Sequence, residues 1–112
     1  VEKLDIVGLG EPMLEFSRLP DSAEGRGYLQ GFGGDTANAV VAAARQGARC
    51  GFVTALGEDP FGEAFLALWR SEGIDASGVR RDPAAHTAIY FITHGPDGHA
   101  FTYFRAGSAA SR

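Results

Sequence analysis

Apolar positions follow two different rhythms along this chain. Residues 4–9 form a short apolar run closed by Gly8 and Gly10, the pattern of a buried strand in a parallel sheet. After a turn near Glu11 and Pro12, residues 12–17 alternate, with Met13, Glu15 and Ser17 on one parity and Leu14 and Phe16 on the other, which predicts a half-exposed strand. Residues 19–27 are polar, with Pro and Gly, and read as a loop. Residues 28–32 form a second extended piece leading into Gly33 and Gly34. From Thr36 the spacing turns helical: Ala37, Val40, Val41 and Ala44 fall on one face, and Gly47 stops the run. Asp35 or Thr36 is the expected N-cap. Residues 49–56 are strand-like again, so 4–9, 36–46 and 49–56 predict a βαβ crossover. Asp59 and Pro60 open a second helix, striped by Phe61, Ala64, Phe65 and Leu68 and ended by Gly73. A short strand is expected over residues 78–81. The final hairpin, 86–94 with 99–106, flanks Gly95-Pro96-Asp97-Gly98.

Two extended pieces therefore stand between the first strand and its crossover helix, where a compact βαβ unit has only a short loop. The expectation is a small sheet standing off the strand ends and joined by the late hairpin. Such a sheet, built from residues 12–34 and 86–106, would form a β lid over the carboxyl ends of the parallel strands, where open α/β sheets bind ligands.

Composition narrows the setting. The 112 residues are 45% hydrophobic and 21% charged, ordinary globular usage for one folding unit or part of one. No apolar run approaches the ~20 residues of a spanning helix, so no membrane partner is expected. The net charge of −4, with scattered basic residues, lacks the electrostatic footprint of a nucleic-acid binder. Cys50 is the one cysteine, which excludes an intrachain disulfide and a multi-cysteine zinc cluster; it reads as a small buried residue, and Trp69 as core or interface. The start Val1-Glu2-Lys3-Leu4-Asp5 does not read as a signal peptide, and a reducing cytoplasm is the expected location. The 16 glycines are about twice the usual ~7% share, and their clustering points to close backbone approaches.

Gly31-Phe32-Gly33-Gly34-Asp35-Thr36-Ala37-Asn38 is the most informative stretch. Paired glycines expose the main chain to a ligand, and the helix that follows aims N–H groups and positive dipole at bound oxygens; Asn38 adds a side chain able to bind hydroxyls. A structural glycine turn with a capping Asp explains the same residues. Gly8-Leu9-Gly10-Glu11-Pro12-Met13 has Met where a dinucleotide fingerprint needs its third glycine, and Lys3 is the only lysine, which removes Rossmann and P-loop chemistry. Tyr103 and Arg105 share a strand face with Phe101; if Tyr90 faces the same way, two phenols and a guanidinium converge, suited to sugar hydroxyls and to a carboxylate or phosphate. Ordinary cross-strand packing is the competing explanation. In Gly57-Glu58-Asp59-Pro60-Phe61-Gly62 a turn with a helix cap explains the carboxylates more cheaply than a metal does, and His86, His94 and His99 lack metal-ligand spacing.

Taken in order, Gly8-x-Gly10-Glu11, Gly33-Gly34-x-x-x-Asn38, Gly47, Gly57-x-Asp59-x-x-Gly62, Glu72-Gly73-Ile74-Asp75 and the aromatic hairpin resemble the N-terminal part of the ribokinase-like (phosphofructokinase B type) carbohydrate kinases. The stretches Phe32-Gly33-Gly34-Asp35-Thr36-x-Asn38 and Tyr103-Phe104-Arg105-Ala106-Gly107-Ser108-Ala109 are most similar to the 2-keto-3-deoxygluconate branch. The resemblance implies a three-layer α/β domain with a β-sheet lid that often joins oligomers, here one incomplete kinase domain over 1–112, and ATP-dependent phosphorylation of a sugar-acid hydroxyl with Mg2+. Carried over by position, Gly34 and Asn38 meet sugar hydroxyls, Gly33 allows close approach with Asp35 beside it, and Tyr90, Tyr103 and Arg105 form the lid side, Arg105 meeting the acid. Glu11, where relatives vary, is left outside the set. The family's catalytic Asp lies in a Gly-Ala-Gly-Asp stretch not found in these residues, so the segment alone is expected to be inactive. The alternatives are a ribose, fructose or nucleoside kinase of the same family, or a noncatalytic sugar-binding or oligomerisation module.

Overall fold

The computed structural model describes residues 3–112; Val1 and Glu2, part of the start read as not being a signal peptide, lie outside them. Two sheets organise the chain. The core sheet is parallel, with β1 (Ile6–Leu9) and β5 (Asp75–Asp82) on either side of β4 (Cys50–Gly57). The second sheet runs β3-β2-β6-β7 and contains β2 (Met13–Arg18), β3 (Tyr28–Gly33), β6 (Ile89–Gly95) and β7 (Gly98–Phe104). Its outer pairs are antiparallel, and β2 pairs with β6 in parallel, Glu15 opposite Tyr90. The predicted union of the inserted strands with the late hairpin is thus a property of the chain.

Helices α1 (Asp35–Arg45) and α2 (Pro60–Ser71) cover one face of the core sheet. Phe52 of β4 stacks on Trp69 at 5.0 Å, Phe65 lies 5.4 Å from the same indole, and all three are buried. Leu14 and Phe16 carry this core into the second sheet, where Phe16 meets Phe61 edge-on at 5.9 Å. Trp69 is a core residue and Cys50 is buried. The opposite face of the core sheet leaves Val7, Leu9 and Val53 exposed.

Three local expectations are corrected, and one element is new. Gly34, not Asp35 or Thr36, caps α1, and no side chain caps its first turn. Gly34 has φ of 99°, so the bend is made by backbone only glycine adopts freely. β5 runs Asp75–Asp82 rather than 78–81; as a largely exposed edge strand it carries no apolar alternation to reveal its length. β6 begins at Ile89, because residues 86–88 turn their polar groups toward the core. There the Thr87 N–H and hydroxyl both donate to Asp59, at 2.8 Å each. A 3₁₀ turn over Ala109–Ser111 follows β7, unmarked by any periodicity.

Asp59 caps α2 as predicted, accepting from the Gly62 N–H at 2.7 Å. Burial raises its pKa, but the hydrogen bonds from Thr87 and Gly62 outweigh it and hold the carboxyl below its ordinary value. Both oxygens serve this junction of β4, α2 and residues 86–88. No three His, Cys, Asp or Glu come together as a metal site among the described residues, nor is any described helix long and apolar enough to cross a membrane.

Candidate functional site

Where β1 ends, the chain leaves the core sheet through Gly10 and Glu11, and it returns through Gly33 and Gly34 into α1. The mouth of this detour is a hollow of about 440 Å³, within the usual range for small-molecule sites. Glu11, Met13, Gly34, Asp35, Thr36, Tyr90, Phe101, Tyr103 and Arg105 line it.

Strand pairing explains the convergence. Tyr90 opposes Glu15 on β2 and Tyr103 on β7, and directly paired residues point to the same face of a sheet. The Tyr90 and Tyr103 rings stack at 5.5 Å, with Phe101 beyond them. Tyr90 is only 9% exposed, and its hydroxyl donates to Glu15 at 2.6 Å. Burial, then the Glu15 carboxylate, push its phenol above the ordinary range, so it is held protonated as a donor. The backbone of Gly33 lies under the same ring: a Cβ there would come within 2.6 Å of Tyr90 Cε1. Gly33 therefore does permit a close approach, and the group that approaches is Tyr90. At Gly34 a Cβ would sit 2.7 Å from the Glu11 carbonyl oxygen, so glycine is required for the first turn of α1 to reach the hollow.

On the far wall the Arg105 guanidinium pairs with Glu11 at 2.8 Å, and Glu11 also accepts from the Ser108 hydroxyl. Arg105 and Ser108 are the two ends of one turn closed by Ser108 N–H to Arg105 O at 3.1 Å.

Of the seven residues selected from sequence, Gly34, Asp35, Tyr90, Tyr103 and Arg105 line the hollow, and Gly33 supports it from beneath. Asn38 does not join them. It is exposed one turn into α1, lining a separate depression with Phe32, Val41, Ala42, Arg45 and Leu68. Glu11, Glu15, Met13, Thr36 and Ser108 were not selected. The parity of β2 already set Met13 and Glu15 on one face, but without the β2–β6 register nothing linked that face to Tyr90.

The chemistry on offer is that of a polyol site. Aromatic faces pack on carbon, phenol and carboxylate groups meet hydroxyls, and a single guanidinium among the lining residues suits an acid. A triphosphate fits poorly, since two carboxylates, Glu11 and Asp35, are among the lining residues.

Comparison with known proteins gives the family. The pfkB family carbohydrate kinase profile matches residues 3–112. The chain is 35% identical over 114 residues to the 2-dehydro-3-deoxygluconokinase of Thermoproteus tenax, covering 97% of this chain and 35% of that protein. It is 37% identical over 112 residues to the probable fructokinase-3 of Arabidopsis thaliana, covering 96% and 32%. The crystal structure of fructokinase with bound ATP from Xylella fastidiosa superposes with a TM-score of 0.88 at 31% identity, over 94% of this chain and 34% of that one. The chain thus spans about a third of the length of these relatives.

Proposed function

The chain belongs to the pfkB family of carbohydrate kinases and has the ribokinase-like α/β fold, and from that premise we propose that the full-length protein phosphorylates a hydroxyl of a sugar acid of the 2-keto-3-deoxygluconate type, using ATP with Mg2+. The observation that carries the choice of an acid is Arg105, the one guanidinium lining the hollow, beside Tyr90 and Tyr103. Gly34, Asp35 and Tyr103 take the hydroxyls, Tyr90, whose proton is given to Glu15, offers a fixed acceptor oxygen, and Arg105 meets the carboxylate; Asn38 has no part in this reading. The similarity to a 2-dehydro-3-deoxygluconokinase supports it.

The second reading is a fructose kinase. It is favoured by the fructokinases among the relatives and by the Glu11 carboxylate that already compensates Arg105.

The described residues do not fit a resident Mg2+ or a nucleotide: no metal-binding group of side chains is present among them, and the hollow faces a phosphate chain with carboxylates. We infer that residues 1–112 alone bind sugar without transferring phosphate, which requires stabilised charge at the moving group. Association of copies through the exposed aromatics of the second sheet, and a cytoplasmic location, belong to the same proposal.

Arg105→Ala in the full-length protein tests the substrate. A charged hydrogen bond contributes about 1.5–3 kcal/mol, so kcat/KM for 2-keto-3-deoxygluconate should fall roughly 10- to 150-fold, with the value for fructose changed much less. Equal losses for both, or a wild-type preference for fructose, reject the sugar-acid reading. ADP release by purified 1–112 with ATP and either sugar would reject the inference that the segment is inactive.

A further inference from the structure

The two charges of the Glu11–Arg105 pair are held very differently. The Glu11 side chain is 12% exposed and that of Arg105 is 56% exposed. Ser108, which donates to Glu11, is itself fully buried. The carboxylate is therefore held in a buried position, one oxygen anchored by the buried Ser108 hydroxyl, while the more exposed guanidinium leans on the other. Glu11 sits on the detour just after β1 and belongs to the core side of the hollow, whereas Arg105 follows β7. Asp35 also lines the cavity, so the lining groups carry two negative charges against one positive charge.

An acid entering this hollow must share Arg105 with a carboxylate that cannot retreat, and two anions on one guanidinium repel each other. A neutral sugar faces no such competition. We infer that Glu11 is a specificity-determining residue, a built-in counter-ion that sets how strongly the site favours an acidic over a neutral sugar. The inference rests on the reading of the hollow as a sugar site and adds a group that acts on the ligand through Arg105. It accounts for a site that holds a guanidinium suited to acids in a chain similar to kinases of both acidic and neutral sugars.

The test is Glu11→Gln in the full-length protein, with binding of 2-keto-3-deoxygluconate and fructose measured by calorimetry. Gln keeps the shape and an acceptor for Ser108 and removes the charge. The ratio of acid to neutral affinity is expected to move toward the acid by roughly three- to fivefold, the upper scale of a partly exposed ion pair. In an Arg105→Gln background the same substitution should shift the ratio little, because its effect passes through the guanidinium; a purely structural role would give equal shifts in both backgrounds. If Glu11→Gln fails to fold, Ser108→Ala releases one anchor of the carboxylate and should move the ratio in the same direction by a smaller factor. A ratio unchanged within about twofold, a shift toward fructose, or no measurable acid binding to either protein overturns the inference. A wild-type protein that prefers fructose sinks the sugar-acid reading alone, since the Glu11 inference is judged by the shift and not by the starting preference.

Discussion

The two sheets solve opposite problems with similar residues. In the core layer the aromatic side chains are spent on packing: Phe52 of β4 and Phe65 and Trp69 of the helix α2 laid on it are fully buried against one another. In the second sheet Phe101, Tyr103 and Phe104 are each about half exposed, and the face that carries Tyr90 and Tyr103 opens on the hollow. Burial of aromatic surface stabilises the first region, while in the second it is deferred until something covers the rings. The lesson is that one residue class marks stability or recognition according to whether its strand has a helix laid on it.

The sharpest way to break this contrast is Trp69→Ala. Loss of a fully buried indole should cost about 3–5 kcal/mol, read as a fall in the denaturant midpoint, with ligand affinity in the remaining folded fraction unchanged. An effect below about 1 kcal/mol would mean that the core does not depend on this stack.

Asp59→Asn probes the seam between the regions. Removing charge-assisted hydrogen bonds to Gly62 and Thr87 should cost about 1–3 kcal/mol. Because the folded pKa of Asp59 is depressed, its contribution is fully present above the unfolded carboxyl value near ~4 and is lost as the pH falls through the folded value. Asp82 shifts in the same direction, chiefly through the Ala84 N–H. Thermal melts from pH 7 down to pH 3 should show wild type and variant converging at the acid end; a constant gap would exclude the ionised cap.

Phe101→Ala should have the smallest effect on folding, within about 1 kcal/mol, while weakening sugar binding several-fold through lost stacking in the hollow. A larger loss of stability than of affinity would place this ring with the core rather than the site.

Legibility in the sequence divides along the same line. The core sheet and its helices follow from period and caps, as with Ala37, Val40 and Val41 on α1 or Asp59 before α2. The strand over residues 78–81 was seen, but its full length, Asp75–Asp82, was not, because an exposed edge strand has no apolar face to alternate. In the second sheet the strands were visible, yet the partnership of Glu15 with Tyr90 depends on a parallel register that no local pattern encodes. Glu11 was considered and left outside the set, because its carboxylate gains meaning only from Ser108 and Arg105, almost a whole chain away. Parity put Tyr103 and Arg105 on one face, but Tyr90 joins them only through the β6–β7 register, and Asn38 lies away from the hollow, whose helical lining comes from Asp35 and Thr36 in the first turn.

Those long separations fix the order in which the chain can be assembled. The hairpin of β2 and β3 is local, and it can close as soon as residue 33 has emerged. The Glu15–Tyr90 contact joins residues 75 apart and the Glu11–Ser108 contact residues 97 apart, so both wait until long after that hairpin has emerged. During synthesis the first wall of the hollow must therefore persist, its polar face without a partner, while β4, α2 and β5 are made and folded; distant contacts of this kind slow folding because chain entropy is lost before they form. The hollow is the last part of this region to exist.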